Sequence, residues 1–168
     1  CIDSTFVSSV GKYVDEFELN LSRFTKSKYV IAVTNGTSAL YMSLLAAKVL
    51  KDDEILMPSL TFVATANAVS YCGAIPHFID CNEKSLSIDT DVLKERLKEI
   101  VIKKNGYSIN KNTGRVIRAI IPVHIYGHPA EMEKIIQISS DYNLIIIEDA
   151  AESLGSYFQG KHTGTFGL

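Results

Sequence analysis

The chain has 168 residues, 46% hydrophobic and 21% charged, which suits one globular domain with a substantial core. Its net charge of -2 provides no electrostatic footprint for nucleic acid or an anionic membrane surface, and no apolar stretch is long enough to span a bilayer, so neither partner is expected. There is no signal-peptide pattern, and the three cysteines, Cys1, Cys72 and Cys81, lack metal-ligand spacing, so a reduced, cytoplasmic protein is expected.

Along the chain, apolar runs alternate with helix-like stretches. Residues 8–24 (SSVGKYVDEFELNLSRF) carry Val10, Tyr13, Val14, Phe17, Leu21 and Phe24 as a helical stripe. YVIAV at 29–33 reads as a buried strand, and TSALYMSLLAAKVL at 37–50, rich in helix formers, follows Gly36. EILMP at 54–58 is a short strand closed by Pro58, FVATANAVSYC at 62–72 a helix stopped by Gly73, and IPHFID at 75–80 a strand. DTDVLKERLKEIV at 89–101 is an amphipathic helix with Leu93, Leu97 and Val101 on one face and an Asp or Thr cap before them. KKNGYSINKNTGR at 103–115 reads as a surface hairpin or loop, and VIRAIIPVHIY at 116–126 as a strand. PAEMEKIIQISSDY at 129–142 is a helix with Pro129 in its first turn, and NLIIIED at 143–149 a strand. The alternation predicts an α/β fold with a mainly parallel sheet between helical layers. The chain begins without Met and stops just after the turn-rich QGKHTGTFG, which reads as part of a longer protein.

Three stretches carry polar groups to strand ends. The run Leu144 to Ile147 reads as the most buried strand and leads into Glu148 and Asp149, followed by Ala150, Ala151 and Glu152. Ligands of open α/β sheets sit beyond the carboxyl ends of the strands, which is where Asp149 falls; the bland alternative is that both acids cap the next turn. Asn35-Gly36-Thr37-Ser38 leads from a strand into a helix, an anion or phosphate site unless Thr37 or Ser38 simply caps its own helix. Phe62 opens a helix after Pro58, as a core residue or as an aromatic platform. Phosphate cradle, platform and lone carboxylate together suit one flat, phosphorylated ligand with a basic ring nitrogen.

NGTSAL, PSLTFVATANAV, IPVHIYGHPAEM and IIEDAAESLGSYFQGKHTGTFG resemble, in order, four blocks of the DegT/DnrJ/EryC1/StrS family of pyridoxal-phosphate (PLP) sugar aminotransferases of fold type I. The resemblance implies that residues 1–168 form an incomplete large, cofactor-binding domain of the three-layer αβα kind. It implies that Gly36, Thr37 and Ser38 hold the cofactor phosphate, Phe62 stacks on its ring, Asp149 pairs with its pyridinium nitrogen and Glu152 lies near its ring oxygen. A fixed carboxylate favours the protonated ring nitrogen, and the small Ala150 and Ala151 would let the following chain lie close to the ring. Glu148 is then structural. The family's Schiff-base lysine belongs to a block beyond Leu168, so no catalytic residue is assigned within the chain, and Lys161 does not take the role. The resemblance further implies a nucleotide-sugar substrate, an amino-acid donor such as glutamate, and a homodimer.

Two other readings stand beside this one: a PLP-dependent sugar dehydratase of the same family, and a non-catalytic α/β domain that holds a phosphorylated ligand. His124 and His128 are spaced like a metal pair, but Gly127 and Pro129 break a helix there. His77 reads as a satisfied core residue and His162 as a solvated turn residue.

Overall fold

A computed structural model of the chain describes residues 2–3, 7–8 and 10–168. Two compact units emerge, Cys1–Thr34 and Asn35–Leu168. Cys1 and Ser9 lie outside the described residues.

In the first unit, helix α1 (Lys12–Thr25) forms where the periodicity predicts and ends at Lys26 in the left-handed conformation. Within this unit Tyr13, Phe17 and Phe24 of its stripe remain exposed. The expected strand at 29–33 is not formed. The segment has no ladder partner among the described residues, and Tyr29 and Ile31 are 77% and 80% exposed. A strand exists only through its neighbour's hydrogen bonds, so apolar composition alone does not make one. The amide of Ala32 donates instead to the Glu18 side chain at 2.7 Å.

The second unit contains helices α2 (Gly36–Ala46), α3 (Val63–Tyr71), α4 (Thr90–Ile100) and α5 (Met132–Tyr142). Its main strands are β1 (Glu54–Pro58), β2 (Ile75–Ile79), β3 (Val101–Lys104), β4 (Tyr107–Asn110), β5 (Val116–Ile120) and β6 (Ile145–Ile146). A small hairpin, β7 (Tyr157–Phe158) with β8 (Lys161–His162), stands apart. Strands β2, β1, β5 and β6 are parallel neighbours in that order. The β3–β4 hairpin runs antiparallel and joins the sheet on the first residues of β5, leaving the end of the same edge to β6. The 103–115 stretch is thus a hairpin, as expected, and an integral part of the sheet.

Alternation along the strands divides the core in two. Ile55, Met57, Ala119 and Ile121 pack with Leu40 and Leu44 of α2 and Ala68 and Val69 of α3. Leu56, Ile117 and Ile120 pack on the other face with Leu93 and Leu97 of α4 and Met132, Ile135 and Ile138 of α5. Helices therefore cover both faces, giving the three-layer αβα arrangement expected from the sequence. Helix α4 begins at its expected cap, with the Asp89 side chain accepting from the amides of Asp91 and Val92. Helix α3 is stopped by Gly73 at φ +71°.

Three expectations need correction. The most buried strand is β1, buried at all five positions, whereas β6 is half-buried. Among the described residues β6 pairs with β5 alone, so it lacks the second flank that encloses β1. The 116–126 strand ends at Ile120, and the chain turns through a 3-10 segment, Ile125–Gly127, with Tyr126 left-handed at φ 50°. Pro129 lies outside α5, which starts at Met132 after Glu131.

At the amino end of β1 the buried Glu54 ties the hairpin to the sheet. Its carboxylate accepts from His77 Nδ1 at 2.8 Å, Asn110 Nδ2 at 2.9 Å and the Thr113 hydroxyl at 2.6 Å. Burial pushes its pKa up, but the donations from Asn110, Thr113 and His77 outweigh it and hold the carboxyl below its ordinary value. His77 is thus a satisfied residue, as expected. Glu54→Ala is expected to cost about 2–4 kcal/mol, since three donors lose their acceptor. Urea denaturation checks the magnitude, and hydrogen exchange should speed up first in residues 101–115.

Candidate functional site

The two crossovers leave the sheet's centre in opposite directions. From β1 the chain passes through α3 to β2, and from β5 through α5 to β6 on the other side. The crevice between β1 and β5, beyond their carboxyl ends, is therefore a topological switch point, where α/β sheets bind ligands. A cavity of about 460 Å³ lies there, and Gly36, Thr37, Phe62, His124, Asp149 and Glu152 are among its lining residues.

Gly36 and Thr37 reach it from the start of α2. The cap of this helix is Asn35, whose Oδ1 accepts from the Ser38 amide at 2.8 Å, so the bland reading of Thr37 or Ser38 as the cap is corrected. The first turn of a helix carries amides without intrahelical partners and the positive end of the dipole, which suits an anion. Ser38 is half-buried and is not among the lining residues.

Phe62 is the residue before α3, 77% exposed, and its ring borders the cavity. Its backbone is extended (φ -69°, ψ 142°), which turns the chain from β1 into α3 and leaves the ring outside the core. It is not the core aromatic of the alternative reading.

Asp149 is 8% exposed. The ladder of β6 lapses after Ile146 and resumes there. The Asp149 amide donates to Pro122 O, its carbonyl accepts from His124 N, and Val123 and Asp149 form a parallel bridge. That pairing fixes the backbone on which the carboxylate stands. Its Oδ2 accepts from the Thr65 hydroxyl at 2.6 Å, and its Oδ1 has a longer contact, 3.3 Å, from the Ala151 amide. The carboxylate keeps spare acceptor capacity, and Asp149 lines the cavity.

Glu152 also borders it, and its Oε2 accepts from the Tyr126 amide at 3.0 Å, fastening the 125–127 turn. Lys161 is exposed, sits over the Phe166 ring, and does not line the cavity.

Glu148 points the other way and gathers four donors. It accepts from His124 Nε2 at 3.0 Å and from the amides of Gly164, Phe166 and Gly167 at 2.8, 2.6 and 2.8 Å. Burial raises its pKa, but these donors outweigh it and hold the carboxyl below its ordinary value. The structural role expected for Glu148 is therefore what its contacts describe. His124 Nδ1 accepts from the Ala130 amide, so the proton resides on Nε2 and is donated to Glu148. Both ring nitrogens are engaged, which leaves neither for a metal shared with His128. Among the described residues no group of three or more His, Cys, Asp or Glu could hold a metal ion.

Two local expectations change. Ala150 makes room for Gly164, where an added Cβ would meet the alanine Cβ at 3.0 Å, so its small size serves the 164–167 segment. Ala151 does line the cavity. His162 is buried, not solvated: its Nε2 accepts from the Gly155 amide at 2.8 Å. Sequence reading also missed Thr65, the capping role of Asn35 and the pairing of His124 with Glu148. Asn35 had a signal, an Asn directly before Gly and a helix, whereas Thr65 lies 84 positions from its partner and had none.

Fold and site together define an α/β unit of the switch-point class, with a helix start, an exposed ring and a buried carboxylate around one cavity. The sequence profile of the DegT/DnrJ/EryC1/StrS aminotransferase family matches residues 1–168, and the chain belongs to that family. It is 37% identical over 167 residues to the GDP-perosamine synthase of Escherichia coli O157:H7, covering 99% of this chain and 42% of that protein. The crystal structure of Bacillus subtilis NtdA with bound cofactor PMP is 35% identical with a TM-score of 0.79, over 96% of this chain and 33% of that one. The E. coli GDP-4-keto-6-deoxy-D-mannose-3-dehydratase with bound hydrated PLP is 28% identical with a TM-score of 0.82, over 99% of this chain and 40% of that one. The chain spans about two fifths of the length of curated relatives it matches, 42%, 41% and 41% for three GDP-perosamine synthases.

Proposed function

We propose that the intact protein is a PLP-dependent aminotransferase that moves an amino group from an amino acid, glutamate, to a nucleotide-linked keto-sugar in amino-sugar and surface-glycan biosynthesis. One observation carries the reading: the α2 start, the Phe62 ring and the Asp149 carboxylate border one switch-point cavity in a chain matched throughout by this family. The donor set fits the cofactor. An anion-favouring helix end suits a phosphate, an exposed aromatic face suits a ring, and a buried carboxylate oxygen suits a cationic ring N–H. PLP, when bound, supplies an electron sink for the negative charge that develops at the amine carbon. In this reading Gly36, Thr37 and Ser38 hold the phosphate, Phe62 stacks on the ring, Asp149 keeps the ring nitrogen protonated and Glu152 stands near the ring oxygen while holding the Tyr126 turn.

Residues 1–168 form part of a larger cofactor-binding domain whose remaining chain contributes the Schiff-base lysine. That the chain covers about two fifths of the length of its matched relatives supports this assignment. The protein works as a cytoplasmic homodimer. Leu60 and Val63, both exposed and flanking Thr61 and Phe62, supply apolar surface for association. Among the described residues no helix is long and apolar enough to cross a membrane.

The test incubates the intact protein with PLP, glutamate and GDP- or UDP-linked 4-keto-6-deoxy sugars, with products read by mass spectrometry. An amino sugar formed as glutamate is consumed is the expected result. A deoxygenated sugar without nitrogen would establish the dehydratase reading, favoured by the likeness to the E. coli dehydratase. Protein that binds no PLP and turns over neither sugar would leave a phospholigand-binding domain.

A further inference from the structure

Three helical Ser and Thr hydroxyls in this protein bond back to the carbonyl four residues earlier: Thr25 to Leu21, Ser43 to Ala39 and Ser70 to Ala66. Thr65 does not. It is wholly buried, and its hydroxyl reaches across 84 positions to Asp149 Oδ2 at 2.6 Å. The residue four before it is Thr61, whose hydroxyl lies 2.8 Å from Thr65 Oγ1 and 3.3 Å from the Phe62 carbonyl. Thr65 spends its single proton on Asp149, so in the 2.8 Å contact Thr61 is the donor and Thr65 the acceptor. The result is a directed chain, Thr61 to Thr65 to Asp149, wound around Phe62.

We infer that Thr65, backed by Thr61, is a positioning residue that fixes which oxygen of Asp149 is presented to the cofactor; this rests on the cofactor reading above. With Oδ2 filled by a short hydrogen bond, Oδ1, which has only the 3.3 Å contact from Ala151, keeps the acceptor capacity for a ring N–H. The same turn, 61–65, carries the ring that would stack and the hydroxyl that holds the carboxylate. Platform and carboxylate are thereby kept in one register, although they come from different strands. Removing the hydroxyl leaves only the long Ala151 contact to hold the carboxylate, which is then free to rotate and present either oxygen.

The test uses the intact protein and three variants: Thr65→Val, which keeps the shape and loses the hydroxyl, Thr65→Ser, which keeps the hydroxyl, and Thr65→Ala, which takes the place of valine if that variant does not fold. The readouts are the PLP dissociation constant, the ring-nitrogen chemical shift of isotope-labelled bound PLP, and the melting temperature. Loss of the hydroxyl is expected to weaken PLP binding about tenfold, the effect of one hydrogen bond to a charged group. It should also move the ring-nitrogen shift toward that of neutral pyridine, and Thr65→Ser should restore both. Wild-type affinity and shift in the hydroxyl-free variant would overturn the inference and leave the cofactor reading standing. A lower melting temperature with an unmoved shift would overturn it too, by making Thr65 merely structural. Wild-type protein that binds no PLP would instead sink the cofactor reading itself.

Discussion

Asp149→Asn in the intact protein is expected to lower aminotransferase turnover about a thousandfold, the scale of removing one preorganised electrostatic contact from an active site. Asparagine keeps the size and planarity of the side chain, so one of its polar atoms can still accept from Thr65. The backbone bonds of residue 149 to Pro122 and His124 are untouched. What disappears is the negative charge that the proposed function sets beside the ring nitrogen, and with it the preference for the protonated ring. The burial of Asp149 makes the loss large, because a charge shielded from water acts through a lower effective dielectric. The melting temperature should stay close to that of the wild type. Turnover within tenfold of wild type would remove Asp149 from the role.

Glu148→Ala is expected to behave in the opposite way, as a defect of stability first. It strips the acceptor from His124 Nε2 and from the amides of Gly164, Phe166 and Gly167. Breaking a buried hub of this kind costs about 3–5 kcal/mol. The 164–167 segment should loosen before the rest, since three of the four lost hydrogen bonds are from its own amides. The same carboxylate predicts a pH dependence. Its pKa is lowered in the folded state, so its contribution is fully present above the ordinary value of 4.5 and is lost as pH falls below that toward the folded value. Glu54 has the same sign, so acid should weaken both ends of the sheet. Urea denaturation at a series of pH values, for wild type and Glu148→Ala, checks this. The stability difference between them should shrink below about pH 4.5, and a difference constant down to pH 3 would contradict the assignment.

Much of the fold was legible because the signals were local. The stripe of α4, its Asp89 cap, the Gly73 stop and the two-residue turn of the β3–β4 hairpin each depend on residues within a few positions of one another. The order of motifs also marked the family blocks and, of the residues around the cavity, Gly36, Thr37, Phe62, Asp149 and Glu152, though Ser38 does not line it. Local signals misled where a partner decides the outcome. YVIAV has the composition of a strand but no ladder partner in the described residues, and β6, in the run into Asp149, is half-buried because among those residues it pairs on one side only.

Asp149 and Glu148 illustrate the division. Adjacent in sequence and identical in charge, they are indistinguishable by composition or spacing. Side chains alternate across an extended segment, so one carboxylate turns to the cavity and the other to the 164–167 amides. By itself the sequence determined the αβα class, the family and five of the residues that line the cavity, Gly36, Thr37, Phe62, Asp149 and Glu152. Only the tertiary structure decided which acid faces the cavity, that Asn35 rather than Thr37 caps α2, and that Thr65 holds Asp149 from 84 positions away. Helix periodicity and caps are interactions between near neighbours on one chain, whereas a hydrogen bond between distant residues exists only once packing has brought them together.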